Sequence, residues 1–350
     1  MKGFANLIGS MEEFKKISFA IEHKQTPVLI TGLSNVHKSG FIYSFTSLLC
    51  KSGLVVVPDE ATAVRMCEDI NMLAGRELAL LFPSRELTFQ QVQGVSREYE
   101  HARLKVLGKL AAGQCQVVVA CAKASLQYTI PPQTLAARTK TVKSGESCQM
   151  EDLIGFLVSA GYTRSAQVEG VCQFSQRGGI LDFFPPHVAD PYRLEFWGDE
   201  IDTIASFKVD TQRRHETVQE VTITPAAEVV CESEERLIKL LQKAAGGLRG
   251  TQGKKAKENI QKEIARIESG LMPDSLDRFL PLIYPSPATI YDYMPEDVLY
   301  LCDTANCREV LKNLQVQENE DIKILLEEGV LFKGCDKYSE DFVDLQRRCV

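Results

Sequence analysis

Apolar and polar positions over residues 27–145 alternate between two periods. Short continuous apolar runs at 27–31, 54–57, 78–81 and 116–120 are separated by stretches at about 38–51, 60–74 and 96–112, where apolar residues recur every three to four positions. A continuous run of that length suits a strand covered on both faces, and the longer spacing suits an amphipathic helix. Together they predict the βαβ rhythm of a parallel sheet with helical crossovers.

The period changes after Pro131-Pro132. A short helix at about 149–160 leads into closely spaced strands near 171–176, 179–184, 192–197, 200–208 and 218–224, joined by Gly-Gly, Pro-Pro and Gly-Asp turns. That spacing predicts a small antiparallel α+β unit. Helical period returns over 231–270, with Leu237, Leu240 and Leu241 on one stripe, a glycine-rich break at 246–250 and a charged helix from Lys254 to Glu268 read as a solvated face. A last buried strand, Val298-Leu299-Tyr300-Leu301, precedes helical material. The expected architecture is an α/β, parallel-sheet, degenerate P-loop or helicase-like domain (1–143 and 226–350) interrupted by an inserted β-rich α+β domain (144–225).

Composition narrows the class. With 44% hydrophobic and 25% charged residues the 350-residue chain is globular material for two or three domains. Its apolar runs fall far short of the roughly 20 residues that span a bilayer, so a soluble, cytoplasmic protein without a membrane partner is expected. No secretory leader is recognisable, so the eleven cysteines read as reduced core thiols. No Cys-x-x-Cys occurs and the five histidines are scattered, which predicts no metal site. A formal net charge of −7 argues against a chain that binds DNA over its whole surface, where Lys and Arg must neutralise phosphates.

One stretch carries the marks of nucleotide chemistry. In TGLSNVHKSG, residues 31–40, Gly32, Lys38 and Ser39 stand in the register of a phosphate-binding loop, but His37 occupies the second glycine position. A side chain there brings bulk into backbone that must approach phosphate closely. An acidic pair must also stand on a neighbouring strand to hold Mg²⁺ and orient water. Asp59 and Glu60 lie too close to the loop and read as a helix N-terminal cap. The better placed tip is Tyr300-Leu301-Cys302-Asp303, where Cys302 stands in the metal-ligand position and is a poor ligand for a hard cation. Both defects predict a loop in which Lys38 and Ser39 simply begin a surface helix, with no nucleotide cofactor. No Gly-x-Ser-x-Gly elbow or Cys/His pairing points to nucleophilic catalysis, so no catalytic residue is expected.

The inserted unit carries a different signal. In Tyr192-Arg193-Leu194-Glu195-Phe196-Trp197, alternation puts Leu194 and Phe196 on one face and Arg193, Glu195 and Trp197, the only tryptophan, on the other. Arg beside an acid and a Trp on a solvated sheet is the composition favoured at energetic centres of protein interfaces, the alternative being a surface ion pair worth about 0–1 kcal/mol.

The stretches FSQRGGILDFFPP (174–186), YRLEFWGDEID (192–202) and DTQR (210–213), with the defective loop at 32–39 and YDYMPEDVLYLCD at 291–303, resemble the UvrB-like amino-terminal modules of bacterial transcription-repair coupling factors (Mfd). The resemblance runs from residue 4 to about 345. UvrB itself has an intact ATP site and a long DNA-clamping hairpin, whereas Pro83 to Val95 leaves room here only for a short loop. The resemblance implies a module without ATPase activity whose inserted domain recruits the excision-repair protein UvrA through positions matching Arg164, Arg177, Arg193 and Glu195, with Trp197 on the same face. One further basic position of UvrB falls on Ser175. It also implies a parent chain in which ATP and Mg²⁺ drive a DNA translocase that displaces stalled RNA polymerase, and a carboxyl-terminal domain that masks the UvrA surface. Two other readings stay open at this point: an active UvrB-like DNA-dependent ATPase or helicase built on Lys38 and Ser39, and a stand-alone DNA-binding scaffold.

Overall fold

A computed structural model describes residues 2–87, 89, 97–273, 275–294 and 297–348. The first stretch contains α1 (Lys2–Gly9), α2 (Glu12–Glu22), α3 (Asn35–Leu49), β1 (Gly53–Val57), α4 (Glu60–Ala74), β2 (Ala79–Phe82), α5 (Glu98–Ala111), β3 (Val117–Cys121), α6 (Ala122–Leu126) and α7 (Pro132–Ala137). The inserted stretch adds β4 (Lys140–Lys143), α8 (Met150–Ser159), β5 (Thr163–Arg164), β6 (Gln173–Arg177), β7 (Ile180–Phe183), β8 (Tyr192–Trp197), β9 (Glu200–Phe207), β10 (Arg214–Val218) and β11 (Glu220–Ile223). The returning stretch holds α9 (Glu234–Gly247), α10 (Gly250–Glu268), α11 (Leu280–Ile283), β12 (Val298–Leu301), α12 (Thr304–Glu328) and α13 (Phe342–Arg348).

Four parallel strands in the order β12-β1-β3-β2 make the first sheet. Pleating divides its apolar residues cleanly. Val55, Val57, Val117 and Val119 pack with Ile42, Met66 and Ile70 of α3 and α4, while Leu54, Val56, Val118 and Ala120 pack on the other side with Val106 and Leu107 of α5. This is why β1 and β3 read as unbroken apolar runs. Asp59 caps α4 by accepting the Thr62 N–H, as its sequence position predicted.

The strand expected at 27–31 does not form. Val28, Leu29 and Ile30 are 38%, 89% and 39% exposed and join no ladder, so that β12 is an edge strand of the sheet. An apolar run becomes a strand only where another edge accepts its backbone hydrogen bonds, which the run itself cannot specify.

The inserted stretch leaves and re-enters through a neck in which β4 and β11 pair antiparallel, from Lys140↔Ile223 to Lys143↔Glu220. Beyond it stands a six-stranded sheet in the order β10-β9-β8-β7-β6-β5. The strand expected near 218–224 forms as β11, which closes the neck, and a strand not foreseen from sequence, β10, extends the six-stranded sheet. Leu181, Phe183, Leu194 and Ile204 pack under Leu153 and Leu157 of α8 in a core of their own. The break expected at 246–250 falls at Leu248-Arg249 between α9 and α10, and Gly250 takes φ +78°, a conformation that glycine adopts without Cβ strain. Leu237 and Leu241 are buried and Leu240 is half-buried.

One contact ties the inserted unit to α5 of the parallel-sheet domain, and a buried charge cluster inside that domain braces the chain where it re-enters. His187 packs on α5 so closely that a Cβ at Gly108 would lie 3.0 Å from the His187 Cβ, and its Nδ1 is 3.1 Å from the Thr224 hydroxyl. Just past the neck, the wholly buried Glu228 meets Arg103 of α5 at 2.6 Å, accepts the Thr129 hydroxyl at 2.5 Å and lies 3.7 Å from Arg85. Its own N–H donates to Glu100, and Arg85 continues to Asp277 at 3.1 Å. Burial alone would raise the Glu228 carboxyl, but the Arg103 and Arg85 guanidiniums hold it below the usual range.

The two half-buried histidines give this arrangement a pH signature. Burial pulls His187 and His101 from 6.5 down to about 4, helped by the charges of Lys109 and Arg97 respectively. Between those values the unfolded chain binds protons that the fold excludes, so stability falls as pH drops from about 6.5 toward 4. We expect each to cost roughly 1–2 kcal/mol at pH 5, read as a lower urea midpoint than at pH 7.5. His187→Asn, which cannot titrate, is expected to reduce that difference; an unchanged pH profile would refute the assignment.

Candidate partner-binding face

The stretch that reads as a phosphate-binding loop runs into helix α3. Gly32 keeps the left-handed φ of +83° that a loop needs, but Ser34 is already the N-cap of α3 and the Lys38 amide donates to the Ser34 carbonyl at 2.9 Å. An N–H spent inside a helix cannot also turn toward a phosphate. The Lys38 ammonium donates to Asn35 Oδ1 at 3.2 Å, and His37 Nδ1 lies 2.9 Å from the Ser34 hydroxyl. Contrary to a surface reading, Ser39 is fully buried, its one hydroxyl proton shared between the Asn35 carbonyl at 3.2 Å and Asp69 of α4 at 3.3 Å. Helix–helix packing claims the group that an ion would have used. At the β12 tip, burial pushes the Cys302 thiol up to about 11, which keeps it protonated, and Asp303 sits in the left-handed region at the N-cap of α12. The interval from Pro83 to Val95 lies in part outside the described residues.

On the six-stranded sheet, the face opposite the α8 core divides into a covered row and an open row. The covered row runs Ser175, Asp182, Arg193, Ala205 in cross-strand register. Over it, the Ser175 hydroxyl donates to the Ala166 carbonyl at 2.8 Å, and Val168, Phe184 and Phe207 form a small apolar cluster. Ser175 is 1% exposed, so a basic side chain at this position would have to leave the packed layer. Asp182 is fully buried here and holds two guanidiniums. Arg193 reaches it through Nε at 2.8 Å and Nη2 at 2.9 Å, and Arg177 through Nη2 at 2.7 Å. Arg193 is completed by the Gln212 carbonyl at 3.3 Å and by the Phe207 ring, whose centre lies 4.7 Å away. Hydrogen bonding to Asp182 raises the Arg193 pKa above its ordinary value.

The open row runs Arg177, Ile180, Glu195, Thr203. Arg177 remains 45% exposed. Glu195 accepts the Thr203 hydroxyl at 3.2 Å and pairs with Arg214 of β10. Trp197 stands at the end of β8 beside the turn at Gly198, 83% exposed. Arg164, in edge strand β5, donates to Gln176 Oε1 at 2.9 Å; Gln176 in turn touches Met150 of α8, which places Arg164 at the sheet rim and outside the Arg177 row.

Of the five residues singled out from sequence, Arg177, Trp197 and Arg164 present free surface, whereas Arg193 and Glu195 are engaged within the chain. Sequence reading missed Asp182 and Arg214. The signal for Asp182 was present: it breaks the apolar run Ile180-Leu181-Asp182-Phe183-Phe184, and an acid inside a buried strand demands a cation. Among the described residues no cluster of three or more His, Cys, Asp or Glu could hold a metal ion, and no helix is long and apolar enough to cross a membrane. A cleft of about 1060 Å³ between α12 and residues 85–87 and 89 is rimmed by Glu86, Glu318, Asp321, Glu328, Asp336 and Asp341 against Arg85, Lys123 and Lys337, a charge balance that repels phosphate.

Comparison with known proteins places this face in a family context. Residues 141–228 match the model described as the UvrB interaction domain. The chain is 30% identical over 339 residues to the transcription-repair-coupling factor of Bacillus subtilis (strain 168), covering 94% of this chain and 29% of that protein. It is 27% identical over 320 residues to the factor of Staphylococcus aureus (strain MRSA252), covering 89% and 27%, and 29% identical over 250 residues to that of Haemophilus influenzae, covering 71% and 21%. The chain thus spans less than a third of the length of these relatives.

Proposed function

We propose, from the premise that residues 141–228 carry a UvrB interaction domain in a chain related along most of its length to transcription-repair-coupling factors, that this module recruits UvrA and does not itself turn over ATP. The observation that carries the reading is the open row of the six-stranded sheet, where Arg177 offers a guanidinium anchored at one end and a nearly bare Trp197 stands two residues beyond Glu195. Arg and Trp are the residues most enriched at interface hot spots, and a planar guanidinium recognises carboxylates in a bidentate way that Lys cannot copy. The matching surface on the partner is therefore acidic beside an apolar pocket. In this reading the parallel-sheet domain is a degenerate helicase-like fold serving as the platform, in a cytoplasmic protein whose polymerase and DNA contacts, translocase motor and masking domain belong to other parts of the coupling factor.

The competing reading, an active ATPase, is opposed by the committed groups of the loop. The Lys38 amide and the Ser39 hydroxyl are both bonded within the fold, and the protonated Cys302 thiol stands where a carboxylate is required. Calorimetric titration of the fragment separates the two. Saturable heat with cognate UvrA and none with millimolar Mg-ATP is expected; micromolar ATP binding with turnover would overturn the non-catalytic part, and absence of UvrA binding would overturn recruitment.

A further inference from the structure

We propose that Asp182 is a positioning residue for partner recognition, acting on the partner only through Arg177; this rests on the recruitment reading above. The fully buried carboxylate sits in the covered row and shares its two oxygens between an inner and an outer guanidinium. The inner one, Arg193, spends Nε and Nη2 on Asp182 and Nη1 on the Gln212 carbonyl, and is 13% exposed. It neutralises the buried acid, and each of its three nitrogens already donates one hydrogen bond within the chain. The outer one, Arg177, spends Nη2 on Asp182 and is 45% exposed. Its Nε and Nη1 are not spent on Asp182, and the long side chain is held by one end before any partner arrives.

A tethered arginine loses less rotamer freedom on binding than a free one, which is how preorganisation adds affinity without adding a contact. Two cations around one anion also leave one positive charge on this part of the sheet, at Arg177. The ligand chemistry that fits is a carboxylate approaching the free side of the Arg177 fork. Arg193 belongs with Asp182 in this scheme: a substitution there weakens recognition by releasing Asp182 and does not remove a contact.

The test is a double-mutant cycle on UvrA affinity, measured by calorimetry on the fragment with thermal melts run in parallel. Asp182→Asn, nearly the same shape without the charge, is expected to weaken binding about tenfold. In an Arg177→Ala background the same substitution is expected to change affinity less than twofold, because its effect travels through Arg177. A purely structural role predicts the opposite, losses that multiply in full, and that outcome overturns the proposal, as does wild-type affinity of a folded Asp182→Asn. Should Asp182→Asn melt below the assay temperature, Asp182→Asn/Arg193→Gln leaves no buried charge without a counterpart and carries the same comparison. Unchanged binding by Arg177→Ala alone would overturn the recruitment reading itself, and this one with it.

Discussion

Arg177→Glu is expected to lower UvrA affinity at least about 30-fold, the equivalent of a 2 kcal/mol hot spot, while the fragment stays folded. The loss has two sources that act together. The substitution removes the exposed guanidinium of the open row and puts a carboxylate next to Asp182, which reverses the local charge that a carboxylate-bearing partner meets. The fold survives because Arg177 lies at the end of β6 with half its side chain in water, and because Arg193 keeps Asp182 neutralised from inside. Calorimetry against UvrA with circular dichroism of the variant provides the check. Binding within threefold of the unsubstituted fragment would remove Arg177 from the interface.

The second large effect concerns stability. Arg103→Met is expected to cost about 3–5 kcal/mol, read as a lower urea midpoint at unchanged slope. Methionine keeps the apolar stem over the Phe82 ring, on which the guanidinium sits 4.0 Å from the centre, but strips the wholly buried Glu228 of its bidentate partner at 2.6 and 3.2 Å. Arg85, 3.7 Å from Glu228, is shared with Asp277 and Glu100 and makes no bidentate pair with Glu228. Adding Glu228→Leu removes the stranded charge, so the double variant is expected to be more stable than Arg103→Met alone. A single-variant loss under 1 kcal/mol, or a double variant less stable than the single, would show that the pair is not the constraint its burial indicates.

Much of the fold was legible in the sequence for a local reason. Runs such as Leu54–Val57 and Val117–Ala120 are apolar on both pleats because helices cover both faces, and the Asp59 cap announced itself by residue type alone. Failures occurred where the deciding partner lies outside the stretch itself. Val28–Ile30 has strand composition but pairs with no strand, β10 was missed because only its pairing with β9 reveals it, and Ser39 was assigned to the surface because nothing nearby reveals Asp69. The candidate face followed the same rule. Alternation sorted Arg193, Glu195 and Trp197 onto one side, yet it could not tell a buried arginine spent on Asp182 from an exposed one, since that depends on the layer formed by Ala166–Val168 and Gln212.

The neck formed by β4 and β11 has a consequence for how such a chain can change over time. Because Lys140 and Ile223 face each other across one ladder, the host fold experiences everything between them as it would a tight hairpin. Size, sequence and even ancestry of the intervening cassette can drift, or be exchanged between hosts by recombination at those two points, without re-threading the surrounding domain.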